Sequence, residues 1–162
     1  YDLDVPDFTK GPITMSGVAL TSAASSRVQT VRPDDDLRQV LPAPPMGSRI
    51  FPVGDELSLF AEVYDNAGGS PHKVDITTTV TTDEGKVLVK TDEVRDSSEL
   101  QGRRGGYGFA TRIPLKGLTP ASYVLTVSAK SRLGDTPAAE RQVQFTVTPP
   151  VVPGVPGIGV PR

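Results

Sequence analysis

The chain has 162 residues, with 17 Lys and Arg against 19 Asp and Glu for a formal net charge of −2, and no run of like charge longer than Asp34-Asp35-Asp36. That length suffices for one domain with a core of ordinary size, and the charge balance carries no nucleic-acid or anionic-membrane footprint. Zero Cys excludes disulfides, thiolate nucleophiles and Cys-ligated zinc while leaving the compartment open, and no apolar run approaches the roughly 20 residues of a membrane helix.

In chain order, the first candidate element is YDLDVPD at 1–7, where Leu3 and Val5 alternate with acids. Pro6 cannot donate to a ladder, so this predicts an edge strand. MSGVALTS, 15–22, follows with Val18 and Leu20 on one parity. Residues 23–48 are polar and Pro-rich, a connection long enough to be either a packed excursion or a flexible one. Within it, RPDDDLRQVL at 32–41 has aspartates suited to cap one helical turn before PAPP stops it, and reads as loop.

From Arg49 onward the spacing becomes regular. RIFPVGD leads into ELSLFAEVYD (56–65), and KVDITTTVTT (73–82) turns through DEG (83–85) into KVLVKTDEV, a hairpin signature. GGYGFATRIPL (105–115), SYVLTVSAK (122–130) and ERQVQFTV (140–147) complete the set. Sixteen Gly and sixteen Pro gather between these stretches and at the C-terminus, as turn punctuation rather than a collagen repeat. Period-2 alternation dominates throughout. Short strands at such spacing predict an all-β fold, an immunoglobulin/fibronectin-III-like antiparallel β-sandwich over 49–148, preceded by an extended segment (1–48) and followed by a Pro/Gly-rich tail (149–162).

Parity proposes an inner face of Leu57, Leu59, Ala61, Val63, Val74, Ile76, Val80, Tyr107, Phe109, Ile113, Leu125, Val127, Val143, Phe145 and Val147. Such a core needs no cofactor. Tyr123, in GLTPASY, sits where a tyrosine corner would return its hydroxyl to a backbone group just upstream. Residues 56–65 break the pattern, since their outward parity carries Phe60 and Tyr64, about 13 Å apart. Uncovered aromatics of that size are a liability, so either the N-terminal residues or a partner is expected to cover them.

The phrases VPDFTKGPITMSGVALTS, LPAPPMGSRIFPVGDELSLFAEVYDN and GGYGFATRIPLKGLTPASYVLTVSAKSRLG resemble the C-terminal region of bacterial von Willebrand factor type A domain-related proteins, over roughly residues 4–148. The resemblance implies a sandwich region of a large exported or envelope-associated protein. The Asp-x-Ser-x-Ser metal signature of the type A domain itself is missing from this sequence, so its metal chemistry does not carry over. A start at Tyr1 fits a processed or excised product.

Candidate chemistry is sparse. His72, the only histidine, lies in GGSPHKV and is expected to be a solvated turn residue rather than a general base. Asp34–Asp36 and the pair Asp83 and Glu84 are the paired carboxylates, but a calcium loop needs oxygen ligands at spaced positions with a turn-forming Gly, which three consecutive Asp do not provide by themselves, so solvated loops are expected. GRRGGYG, 102–108, is not followed by a helix and so reads as a hairpin loop rather than a phosphate cradle. The expectation is a non-catalytic extracellular or envelope module with no cofactor and no metal, binding a protein partner or copies of itself. Its contacts would be Tyr1, Leu3 and Val5, Val151, Val152, Val155 and Ile158 in TPPVVPGVPGIGVPR, and the Phe60 and Tyr64 face. The alternative is a carbohydrate- or peptide-binding accessory domain using Tyr107 and Phe60 as platforms.

Overall fold

A computed structural model describes residues 7–23, 39–66, 70–97 and 107–150. Among them the regular elements are strands: β1 (Ile13–Met15), β2 (Ala19–Ser22), β3 (Ile50–Pro52), β4 (Glu56–Asp65), β5 (Lys73–Thr82), β6 (Val87–Asp96), β7 (Tyr107–Pro114), β8 (Ala121–Ser131) and β9 (Ala139–Thr148). The predicted strand at 1–7 and the capped turn at 32–38 lie outside the described residues.

β4 is the centre of one sheet, with β1 and β2 along one edge and β7 along the other. The second sheet runs β3-β9-β8-β5-β6. Together they form the predicted β-sandwich. One pairing departs from the antiparallel expectation: β3 runs parallel to β9, from Ile50 opposite Thr146 to Pro52 opposite Thr148. As an outer strand β3 can hold a proline, which lacks the N–H that an interior ladder requires.

Alternation explains the core. Leu57, Leu59, Ala61 and Val63 of β4 face Val74, Ile76 and Val80 of β5, Leu125 and Val127 of β8, and Val143, Phe145 and Val147 of β9, all buried in one cluster. Phe109 and Ile113 of β7 join them; the Tyr107 side chain lies outside the described residues. Thr78 also occupies an inner position. Met15, Phe51 and Leu115, outside the predicted inner face, are buried as well.

The stretch read as one strand at 15–22 is two, because Ser16 substitutes a side chain for the ladder: its Oγ accepts the Glu62 N–H at 2.8 Å while its own N–H donates to Glu62 O at 2.9 Å. Of the long connection, residues 39–48 form a packed excursion. Leu41 is buried, the Met46 N–H donates to Leu20 O at 2.8 Å, and Thr21 Oγ1 donates to Pro44 O at 2.8 Å. The predicted hairpin closes at Gly85, whose φ of 83° suits a residue without Cβ, and the register shifts between Val80 and Thr81, which pair with Val89 and Val87 and leave Leu88 as the extra residue.

At one end of the core Phe145 packs against Phe51 (ring centroids 6.3 Å apart) and Tyr123 (5.7 Å). The Tyr123 hydroxyl donates to Thr119 O at 2.7 Å, which is the expected corner. Tyr123→Phe keeps the ring packing and removes this bond together with the 3.3 Å contact to Thr119 Oγ1, so chemical denaturation should show a loss of about 1 kcal/mol with an unchanged m-value.

Candidate functional site

Four features stand apart from the sandwich framework: the aromatic face of the β4 sheet, the histidine between the sheets, a groove beside β8 and β9, and the β6 edge. The aromatic face is built on β4. Phe60 lies opposite Ala19 of β2 and Ala110 of β7. A Cβ at Gly108 would come within 2.5 Å of Phe60 Cε2, so the ring lies against β7 only because that position has no side chain. Phe60 is thereby half-buried.

Tyr64 is also half-buried, and N-terminal residues cover it. Phe8 stacks on its ring at 4.9 Å and 4° between planes, and the Phe8 carbonyl is anchored by Thr14 Oγ1 and Asn66 Nδ2, each at 2.7 Å. The Tyr64 hydroxyl donates to Glu62 Oε2 at 2.5 Å. Burial, and then the Glu62 carboxylate beside it, pushes the phenol up to about 12. The fold therefore favours the neutral phenol, a contribution complete below the ordinary tyrosine range and lost as pH rises through about 12. An absorbance titration should show one tyrosine ionising near pH 12, and Tyr64→Phe should remove that step.

His72 corrects the sequence reading. It is not solvated: its side chain is 7% exposed and Nε2 lies 2.7 Å from Oδ2 of Asp65, which is 1% exposed. The last residue of β4 and the residue before β5 thus join the two sheets. Nδ1 faces Ser70 O at 3.0 Å. A carbonyl only accepts, so Nδ1 carries a proton. Ser97 meets the main chain and not the imidazole: its Oγ accepts the His72 N–H at 3.1 Å and its N–H donates to His72 O at 2.8 Å. No nucleophile is activated by this arrangement. His72→Leu should cost about 3–5 kcal/mol in urea unfolding by removing one partner of a buried pair.

On the outer face of the other sheet, a groove of about 420 Å³ runs beside β8 and β9, lined by Ser48, Arg49, Asp83, Ser122, Gln144 and Thr146. Arg49 has a φ of 52°, a left-handed conformation rarely taken by a residue with a Cβ, and its carbonyl accepts the Thr146 N–H at 2.9 Å. Sequence reasoning missed Arg49, because no residue pattern announces a left-handed arginine. Asp83 and Glu84 are exposed turn residues. Among the described residues no three His, Asp or Glu side chains gather as a metal site, and no helix is long and apolar enough to cross a membrane.

β6 is the fourth feature. The β4 sheet is three strands across and its partner five, so β6 overhangs. Three of the six large apolar side chains exposed among the described residues lie on it: Val87 (54% exposed), Leu88 (38%) and Val94 (52%). On the parity that should face a core, Arg95 and Glu93 pair with each other instead, at 2.6 Å.

Of the contacts expected from sequence, Phe60 and Tyr64 share this one face, whereas Tyr1, Leu3, Val5, Val151, Val152, Val155 and Ile158 lie outside the described residues, as do Asp34–Asp36 and residues 102–106.

No family model matches the sequence, and a search of curated proteins found no match. Among solved structures the chain is similar to the C-terminal domain of wzt, with a TM-score of 0.55 at 13% identity, covering 94% of this chain and 84% of that one. It also matches part of a Bacteroides uniformis beta-glucuronidase (TM-score 0.49, 14% identity, 83% of this chain and 14% of that one). A family 123 glycoside hydrolase from Clostridium perfringens is a further match (TM-score 0.43, 13% identity, 86% of this chain and 28% of that one). The wzt domain shares the β-sandwich fold. The chain spans only a small part of each glycosidase, and none of these three is a von Willebrand factor type A domain-related protein.

Proposed function

We propose that this chain is a non-catalytic interaction module of a secreted or cell-envelope protein, acting through contact surfaces on a protein partner or a second copy of itself. The observation that carries this reading is the concentration of exposed apolar side chains on one ten-residue edge strand, β6. An edge offers unpaired N–H and C=O groups to an incoming strand, and Val87, Leu88 and Val94 offer the apolar area that makes such pairing favourable. The sealed His72–Asp65 pair and the filled interior fit a molecule that works from its outside. The secreted or envelope setting rests on the resemblance to C-terminal regions of von Willebrand factor type A domain-related proteins. The terminal residues 1–5 and 151–158 are a second contact surface in this reading.

A carbohydrate- or peptide-binding accessory role is the second reading, favoured by the groove at Arg49, where hydroxyl, amide and charged groups converge. Sedimentation across a concentration series together with NMR titration of glycans separates the two. The contact module gives mass that rises with concentration or with an added protein partner, and no saturable glycan shifts. A strictly monomeric chain whose Gln144 and Thr146 resonances shift with a glycan, and stop shifting in Arg49→Ala, would transfer the assignment to the second reading.

A further inference from the structure

We propose that β6 is a self-association edge: two copies of the chain pair β6 against β6, antiparallel, about a two-fold axis through Thr91, so that Lys90 of each copy faces Asp92 of the other. This rests on the contact-module reading and names its surface, its occupant and its register.

The main chain supplies the first half of the argument. Among the described residues β6 is terminal in its sheet and pairs only with β5. Ser97 N–H donates back to His72 O, and residues 72 and 97 continue the register that sets Lys73 opposite Asp96. In an antiparallel ladder the bonded residues alternate, so Lys90, Asp92, Val94 and Asp96 turn their N–H and C=O groups away from β5 toward the open edge. Among the described residues nothing pairs with them.

The side chains supply the second half. Two-fold antiparallel pairing sets each residue opposite the one at equal distance across the axis, and both must turn their main chains into the shared gap. The axis therefore passes through a residue. Pairing most of Val87–Asp96 requires that residue to be Thr91 or Asp92. An axis on Asp92 puts two carboxylates face to face, and shifting to Lys90 or Glu93 does the same with lysines or glutamates. An axis on Thr91 sets no like charges opposite each other and meets opposite ones, Lys90 with Asp92 and Asp92 with Lys90. It also sets Leu88 opposite Val94, two of the exposed apolar side chains.

Charges on edge strands commonly prevent pairing, but Lys90-Thr91-Asp92 is arranged so that a copy of itself is the complementary surface. The two charges are already placed. Lys90 Nζ lies 3.1 Å from Asp92 Oδ2, and Thr77 Oγ1 donates to Asp92 Oδ1 at 2.7 Å. The Thr77 hydroxyl first, and Lys90 next, hold the Asp92 carboxyl below the usual carboxylate range, so the negative charge is present at neutral pH. Across the axis the four groups form an alternating set. An interface of one strand per copy is small, and the dimer is accordingly weak and concentration-dependent.

Charge reversal tests it, with sedimentation equilibrium as the readout and near-UV circular dichroism confirming the fold. Lys90→Asp alone and Asp92→Lys alone each set like charges across the axis and should weaken self-association about tenfold or more. An equimolar mixture of the two single variants, and the double variant K90D/D92K by itself, restore opposite charges and should dimerise again. Val94→Pro deletes an N–H from the open edge without taking one from the β5 ladder and should also give monomer. A wild-type chain that stays monomeric at about 1 mM, single variants that associate like wild type, or a mixture that fails to restore association would each overturn the proposal. If association instead disappears on removing residues 149–162 and ignores the charge reversals, the β6 pairing is refuted while the contact-module reading stands on the C-terminal residues.

Discussion

The structure depends on one constraint: the side chains of β4 and β5 that share a parity must meet between two sheets. Leu57, Leu59, Ala61 and Val63 from one layer and Val74, Ile76 and Val80 from the other are all buried in one cluster; β1, β2, β7, β6 and β8 pair directly with one of these two strands, and β9 and β3 follow outward from β8. A slip of one residue in either strand would turn this set to solvent. Burial of each such side chain contributes about 1.5–3 kcal/mol, so the register is held by the sum of the core rather than by any single bond.

Unequal layer widths follow from that closure and decide where function can reside. The β4 sheet is three strands across against five and leaves β6 overhanging, so the residues of β6 with inward parity include an ion pair, Arg95 with Glu93, instead of a continuous aliphatic row. The interior is filled by aliphatic and aromatic groups, and its acid–imidazole pair ties β4 to the start of β5. Surfaces are what remain: an aromatic face partly closed by Phe8, a polar groove near Arg49, and a long open edge.

The legibility of these features differs for physical reasons. The inner face was readable because burial on one side imposes period 2, and Tyr123 because a corner needs a hydroxyl within reach of a carbonyl four residues upstream. Phe60 and Tyr64 stood out as large apolar groups on the wrong parity, yet the stacking of Phe8 and the missing side chain at Gly108 are contacts between distant segments. A lone histidine beside glycines looks solvated in one dimension; its partner Asp65 lies seven residues back, and local sequence does not specify that the two side chains meet. The β6 edge was hidden for a similar reason, since KVLVKTDEV reads as an ordinary hairpin strand until the width of the opposing sheet is known.

By itself, then, the sequence determined what local periodicity and turn chemistry can encode: the strands from β4 to β9 to within a residue or two, the side of each that faces inward, the β5–β6 hairpin, and the tyrosine corner. Tertiary structure alone decided which strands neighbour one another, the parallel seating of β3 on β9, the burial of His72 against Asp65, and the exposure of β6. The division is physical. Alternation and turn preference act over a few residues, whereas strand order, layer width and side-chain pairing arise from contacts between segments far apart in the chain, whose energies exist only once the sheets have closed on each other.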